Sequence, residues 1–444
     1  MDTPRLEEVR LTSFKSFTRQ VLPLQDLTVL IGRNGSGKSN ALDGLMVLSR
    51  LALGEPVRDA LDGPRVGEEA IRGGAEGCAP LGEDAFTVGV RVRSGTAVYD
   101  LDVTVAVSPE VRVLSERLTA VEGVPYAGRR LGKGRALLAS DPPDPRRGDL
   151  DVRYFNGRRG LDPGLPFASD RLLCSQVPVR VPATTEATKL VHRAAQEVLE
   201  VLRGVFLLDP VPHLMRQYVN ARDVELRRSA DNLSAAVDGL KHADKDAFDR
   251  LTRLVAGMPE YPVRGVRSVG TRLGDVQLVL REDGYHGRVH DVPARLLSDG
   301  MLRFLAFGTA LLSAPAAHQP PGSAGQRHLV IEEVENGLYP TQAARVLELM
   351  KDESVHRRID VLFTTHSPAL LNSLTAQDHS GVVVCTRDPD SGESVLSRLT
   401  ELPGYVDLMA AGELGDAVTK GRLPEAVRPR DGEPGGVEDF LRSL

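Results

Sequence analysis

Three cysteines, Cys78, Cys174 and Cys385, are spread thinly over 444 residues. With no CxxC pairing among them, neither a disulfide framework nor a zinc site is indicated, and buried small apolar roles are expected. Long apolar runs are missing too: none reaches the roughly eighteen residues that a membrane span needs. Met1 to Arg10 alternate charged and apolar residues, without the apolar segment of a secretory signal. The chain is therefore expected in the cytoplasm, with no membrane partner. No heptads are sustained, so no long coiled-coil arm is expected. What is present is ordinary for a globular chain, 41% hydrophobic and 26% charged, with length for two or three packed units. The formal net charge of −6 argues against a surface that is a nucleic-acid footprint throughout. Charge is nevertheless concentrated locally. From Gly123 to Gly160 nine basic residues (Arg129, Arg130, Lys133, Arg135, Arg146, Arg147, Arg153, Arg158, Arg159) stand against four aspartates. Two readings remain open for that segment: a solvated loop face, or a contact surface for a phosphate backbone.

The stretch around which the chain is organised is Gly32-Arg33-Asn34-Gly35-Ser36-Gly37-Lys38-Ser39. It lies between a strand-like run, Leu27 to Ile31, and a helix-like run from Asn40 to Leu53. Glycines let the backbone curl until its N–H groups surround phosphate oxygens, and the helix that follows adds the positive end of its dipole. Lys38 brings a formal charge to the β/γ oxygens, and Ser39 offers a hydroxyl to Mg²⁺, which prefers oxygen ligands. The segment implies a bound nucleoside triphosphate.

Leu6 to Leu11 and Phe17 to Ile31 read as strands leading into this loop, with Phe14-Lys15-Ser16-Phe17 between them. Leu42, Leu45, Met46, Leu48, Leu51 and Ala52 give the next helix a broad apolar face, and Gly54 is a plausible stop. From Ala85 to Val113 the pattern alternates, as expected of an accessory antiparallel β region. Ala139 to Ala168 read as loops around one short strand at Asp151 to Phe155. Leu190 to Leu202 and Phe248 to Val255 have helical spacing, separated by the breaker Asp209-Pro210-Val211-Pro212. Strands are expected near Pro262 to Val269 and Asp275 to Arg281. The division expected is 1–175 for the first part of the head, 176–260 for an inserted helical section, 261–420 for the second part and 421–444 for a tail. Val437, Phe440, Leu441 and Leu444 give that tail helical spacing, suited to docking on its own body or on a partner.

Three further segments follow in order. In Leu297-Ser298-Asp299-Gly300-Met301, Ser298 stands where a helix N-cap is expected, a second site with free backbone donors. Leu329-Val330-Ile331-Glu332-Glu333 is an apolar strand ending in two acids, of which Glu332 suits the metal and Glu333 the attacking water. Val361 to Thr365 leads into His366, placed to hydrogen-bond a γ-phosphate or that water. Other acid and histidine groupings are weaker. Asp388-Pro389-Asp390 reads as a turn between strands, and His286 with His290 has no evident third ligand for zinc.

Taken in order, Phe14-Lys15-Ser16-Phe17, the loop ending in Lys38-Ser39-Asn40, Leu297 to Gly300, Ile331 to Pro340 and Thr364 to Pro368 resemble ABC-type ATPases of the RecF, SMC and OLD group. The resemblance is to the stand-alone ATPases of that group, and it spans roughly Leu6 to Leu399. It implies an α/β fold, a P-loop NTPase with an ABC-type head, an accessory antiparallel β region and an inserted helical section. It further implies ATP and Mg²⁺ as cofactors, and a homodimer of heads that sandwiches two ATPs. Carried over residue by residue, Asn34, Gly35, Ser36, Gly37, Lys38, Ser39 and Asn40 would hold ATP. Ser39, Glu332 and Gln176 would serve the metal, the last as a sensing glutamine. Glu333 would be the general base, His366 the switch histidine, and Ser298, Asp299 and Gly300 a signature acting in trans. Val334, Tyr339 and Met301 depart from the group's usual residues without removing a group expected to carry chemistry. The chain is expected to end before any TOPRIM nuclease domain. The function expected is ATP hydrolysis coupled to head closure, in DNA repair, DNA maintenance or anti-phage defence. An alternative is a slowly hydrolysing, nucleotide-gated regulator of a separately encoded nuclease or toxin. The motor of a membrane transporter is a third reading, disfavoured by the long middle section.

Overall fold

The computed structural model describes residues 4–63, 70–141, 148–258, 263–284, 288–313, 327–423 and 426. The strand Leu27–Ile31 shows how the core is laid down. Successive side chains of a strand point to opposite faces, and here Leu30 enters one apolar cluster while Val29 and Ile31 enter another. Its neighbours repeat the alternation: Val330 and Leu362 join Leu30, whereas Leu329, Ile331, Val361 and Phe363 lie on the other side. A sheet apolar on both faces must be covered on both. The helices Lys38–Ala52 and Glu186–Arg203 cover the first face, the latter begun by a capping box between Thr185 and Thr188. Leu233–Ala243, Lys245–Ala256, Asp299–Leu312 and Pro340–Arg357 cover the second. Residues 176–260 thus contribute helices to both faces and, through Val205–Leu208, an edge strand to the sheet itself.

Among the described residues this sheet has fourteen strands. Its antiparallel half runs Gly164–Ala168, Asp149–Tyr154, Arg135–Ser140, Arg112–Glu122, Ala97–Ala106, Ala85–Ser94, Arg5–Phe14 and Phe17–Pro23. Then come Ser394–Arg398 and Val382–Arg387, antiparallel to each other. The remaining strands, Leu27–Ile31, Ile359–Thr365, Arg327–Ile331 and Val205–Leu208, run parallel to Val382–Arg387. In strand pairing the two halves meet at Phe17 with Ser394, and hydrogen bonds between Ser16 and Ser394, from Thr18 to Glu393 and from the Leu396 N–H to Gln20 add to that seam. A smaller sheet of Val219–Asn220, Asp275–Asp283, Val263–Gly270 and Val289–Pro293 packs beside the second face.

The architecture is the α/β one expected, with the accessory β region continuous with the main sheet. One further strand, Gly164–Ala168, occupies the stretch 139–168 that reads as loop in the sequence, and Arg135–Ser140 runs into its start. Pro, Gly and Asp punctuate it heavily, yet pairing with Arg112–Glu122 and Asp149–Tyr154 satisfies the backbone. Residues beyond 421 other than 422, 423 and 426, and with them the apolar positions of the tail, lie outside the described residues, as do Arg146, Arg147 and His286.

Candidate functional site

Three adjacent parallel strands end in register. Thr365 pairs with Ile31, and Ile331 pairs with Phe363, so the residues that follow each strand emerge together at one edge of the sheet. Crevices outside the carboxyl ends of parallel strands are where ligands bind in open α/β sheets. After Ile31 the chain turns through Gly32, Gly35 and Gly37 at φ of 154°, 77° and 113°. At Gly32 a Cβ would lie 2.1 Å from the Cys385 carbonyl oxygen, so no side chain fits there. The helix Lys38–Ala52 then starts with Gly37 as N-cap and no side chain capping its first N–H groups, which leaves donors for an anion. Lys38 Nζ reaches back over the loop to the carbonyls of Gly32 (2.9 Å) and Arg33 (3.1 Å). Burial lowers the pKa of its ammonium. Ser36 Oγ, buried in the same loop, has no hydrogen-bond partner among the described residues. The loop is braced from behind by Val382–Arg387: Cys385 Sγ meets Ser36 O at 3.2 Å and Arg387 donates to Gly35 O at 3.2 Å.

Ser39 and Glu332, which stand 293 positions apart in sequence, are in direct hydrogen-bond contact. Arg72, absent from any sequence motif, donates to the same Glu332 oxygen at 3.0 Å, to Asp43 at 3.1 Å and to Ser39 O at 3.4 Å. Lys15 completes the group, 2.8 Å from Asp43 and 2.7 Å from Arg72 O. Burial alone would raise the Glu332 carboxyl, but hydrogen bonds from Arg72 and Ser39 and the Arg72 charge outweigh it and hold it below its ordinary range. A hydroxyl beside an ionised carboxylate is the oxygen donor set that suits Mg²⁺, which takes few protein ligands and relies on phosphate and water for the rest. No group of three metal-ligating side chains occurs among the described residues.

The next residue faces differently. Glu333 has φ of 49°, the left-handed region that is costly for a side chain. Its N–H donates to Thr364 Oγ1 at 2.8 Å, and Asn336 Nδ2 donates to its Oε2 at 2.6 Å. His366 Nε2 lies 3.5 Å from its Oε1, while Glu335 accepts the His366 N–H. The strained backbone turns the second carboxylate away from the Ser39–Glu332 contact and toward the histidine.

Ser298 caps the helix Asp299–Leu312, accepting from Met301 N–H at 3.2 Å. Gly300 packs so closely on the Asn336–Gly337 turn that a Cβ would sit 2.4 Å from Gly337 O. The segment 298–300 thereby packs on Gly337, whose neighbour Asn336 bonds Glu333 of the same chain.

Gln176 is not brought to this cluster, and that expectation is corrected. Its side-chain amide exchanges hydrogen bonds with the Ala168 backbone at 2.8 and 3.0 Å. Its neighbour Ser175 packs at Gly54, at the far end of the helix that begins at Lys38. A fifteen-residue helix separates that end from the phosphate loop, about 22 Å at 1.5 Å per residue. The other predicted site residues from Asn34 to Asn40, with Glu332, Glu333 and His366, gather at the one edge. Arg72 is what the sequence reading missed; its signal, an arginine between buried Ile71 and Gly73-Gly74, says nothing of Glu332 across 260 positions.

A family model described as "AAA domain, putative AbiEii toxin, Type IV TA system" matches residues 27–173 and 194–372, more than half of the chain. The chain belongs to this AAA family. Membership agrees with the ABC-type ATPase of the RecF and SMC group resembled in sequence. No curated protein sequence matches the chain. Among solved structures, the SMC head domain from Thermotoga maritima is 15% identical with a TM-score of 0.40, covering 89% of this chain and 98% of that one. The SMC head domain with a coiled coil and joint from Pyrococcus yayanosii is 12% identical with a TM-score of 0.45, covering 94% and 100%. The recombination mediator protein RecF-ATPrS is 10% identical with a TM-score of 0.40, covering 89% and 98%. These are likenesses of fold alone. Members of an AAA family normally bind ATP with Mg²⁺, and no described helix is long and apolar enough to cross a membrane.

Proposed function

We propose that the chain binds ATP with Mg²⁺ at the phosphate loop and hydrolyses it to ADP and phosphate, two copies closing head to tail around two ATPs. The observation that carries this reading is the convergence at one sheet edge of the loop with Lys38, the Ser39–Glu332 contact, and Glu333 held by Asn336 and faced by His366. In it, the N–H groups of the loop and Lys38 bind the β- and γ-phosphates. Ser39 and Glu332 would hold Mg²⁺, which would supply neutralisation of phosphate charge. Glu333 takes a proton from the attacking water, and His366 hydrogen-bonds that water or the γ-phosphate. Arg72, tied to Glu332, keeps the metal-side carboxylate ionised. Ser298, Asp299 and Gly300 offer the N-terminus of their helix to the ATP of the other copy. The test is the size of the protein in solution with ATP and Mg²⁺. Glu333→Gln is expected to bind ATP and accumulate as a dimer; a variant that binds ATP and stays monomeric contradicts head closure.

DNA is the partner that the accessory sheet favours, which fits a role in DNA repair, DNA maintenance or anti-phage defence. Within 123–160, Arg135 and Arg153 are neutralised by Asp162 and Asp141. Arg129 and Arg130 on a two-residue hairpin, and Arg158 and Arg159 on an adjacent loop, are exposed and make no ion pair among the described residues. Tyr126 joins the two segments, its ring edge-on to Phe155 and its hydroxyl against Gly157. ATP turnover with and without duplex DNA, at low and high salt, tests this. Stimulation that fades as salt rises is expected, because phosphate contacts release counterions; turnover indifferent to DNA contradicts it.

A second reading is favoured by the family description, which names a toxin and a toxin–antitoxin system. Here the ATP-bound chain gates a separately encoded effector and turns over slowly. A stable partner that co-purifies with native protein and leaves on ATP hydrolysis supports this reading; DNA-stimulated turnover by the isolated chain counts against it.

A further inference from the structure

The segment 297–299 is clamped by a residue from far upstream. Arg216, which ends the short helix Pro212–Met215, sends one guanidinium nitrogen to two acceptors on either side of Ser298: Leu297 O at 2.8 Å and Asp299 Oδ1 at 2.6 Å. Its own backbone is fixed in turn. Gln277, buried on the strand Asp275–Asp283, donates to Arg216 O at 2.9 Å. Met215, fully buried, anchors the preceding residue in the second apolar cluster. A cation beside a helix N-terminus opposes the helix dipole, so this placement is unfavourable unless Asp299 compensates it. A bond to the Leu297 carbonyl and a charge-assisted bond to the Asp299 carboxylate, from one nitrogen, hold the backbone before Ser298 and the side chain after it. On the opposite flank Gly300 is wedged against Gly337 O.

We propose that Arg216 is a positioning residue for the nucleotide site of the other copy: it holds Leu297 and Asp299 so that Ser298 and the first N–H groups of its helix meet that copy's γ-phosphate. Arg216 itself touches neither nucleotide nor water. The proposal rests on the two-copy reading and adds to it a residue that no motif marks. It acts on the partner's ATP, not on the ATP held by its own phosphate loop.

The experiment uses mixed dimers. In a mixture of Glu333→Gln and Arg216→Ala copies, one of the two sites combines an intact base with an intact signature, so turnover is expected to rise well above that of either variant alone. Glu333→Gln mixed with Ser298→Ala is the control and should behave alike. Alone, Arg216→Ala should bind ATP with native affinity while the protein concentration for half-maximal turnover rises about tenfold to a hundredfold, the worth of a hydrogen bond to a charged group. Arg216→Lys should recover part of that loss. If the Ser298 mixture recovers and the Arg216 mixture does not, the assignment of Arg216 is overturned while the two-copy site stands. If neither recovers, the two-copy site falls and Arg216 with it. Loss of ATP affinity in Arg216→Ala alone would likewise overturn the proposal, because a damaged fold or a role at its own site would then explain the defect.

Discussion

The two halves of the large sheet use charge in opposite ways. In the antiparallel half, charges meet across neighbouring strands and are spent there. Arg91 sits opposite Asp100 and bonds it at 2.8 and 2.9 Å. Arg10 crosses a whole strand to reach Asp102 at 2.8 Å, which is possible because Gly89 between them has no side chain. At the parallel edge, Glu332 takes partners 293 and 260 positions away while Glu333 takes nearer ones, and the carboxylates keep acceptor capacity beyond the bonds they make. Glu332 is shared by Ser39 and Arg72; Glu333 has one oxygen on Asn336 and the other 3.5 Å from a histidine. Complete pairing stabilises a fold, whereas incomplete pairing leaves groups able to change partner when a ligand arrives.

That contrast can be broken at either end. Arg72→Ala should have the larger effect on chemistry. Turnover is expected to drop about tenfold to a hundredfold, since a charge-assisted contact to Glu332 is lost. The sign of the pH effect follows from the depressed Glu332 carboxyl. In the native chain, the stability gained from this group is present above the ordinary carboxylate range and is lost as pH falls through the depressed folded value. Without Arg72 the folded value rises, so the acid limb of the pH–rate profile should move to higher pH; an unmoved limb would detach Arg72 from Glu332.

Gly89→Ala tests the other half. Its Cβ would lie 2.2 Å from Asp102 Oδ1 and 2.7 Å from Leu101 O, expelling Arg10 from both. A loss of about 1–3 kcal/mol in denaturant unfolding is expected, with turnover per folded molecule unchanged. A matching loss of turnover would mean that strain at Gly89 is passed across the seam between the halves to the sheet edge.

Glu116 sharpens the comparison further. It is buried in the antiparallel half, accepts the Cys174 N–H at 2.7 Å, and burial pushes its carboxyl up to about 7. A raised folded value means that the folded state favours the protonated acid. Stability should therefore fall as pH rises from about 4.5 to about 7 and level off above. Glu116→Gln should flatten that slope in pH-dependent unfolding, again without touching turnover. The smallest effect belongs to Lys133, paired at 3.5 Å with Glu122 while 83% exposed. Lys133→Ala should leave the unfolding midpoint unchanged, as surface pairs of this kind contribute little.

The phosphate loop, the acid pair after Ile331 and His366 were legible because each is written in one short segment whose strand or helix fixes its direction. The strand-like run Leu27 to Ile31 was likewise legible as a strand. Arg72 and Arg216 were not legible, since what each does depends on partners 260 and 83 positions away. Gln176 misled for a related reason. Its place before a helical stretch is visible in sequence, but which end of the helix Lys38–Ala52 it meets is settled only by packing at Gly54. The positive φ of Glu333 also has no sequence signal, because no Gly, Asn or Asp stands at that position to mark it.

The most direct measurement is phosphate release by the native chain and by Glu333→Gln, at saturating ATP and Mg²⁺, with ATP binding measured on the same preparations. Turnover in the variant is expected to fall by about 10²–10⁴, the usual worth of a general base, with ATP affinity retained. Equal turnover in the two proteins would contradict the assignment of Glu333 as the base and, with it, the account of this sheet edge as a hydrolytic site.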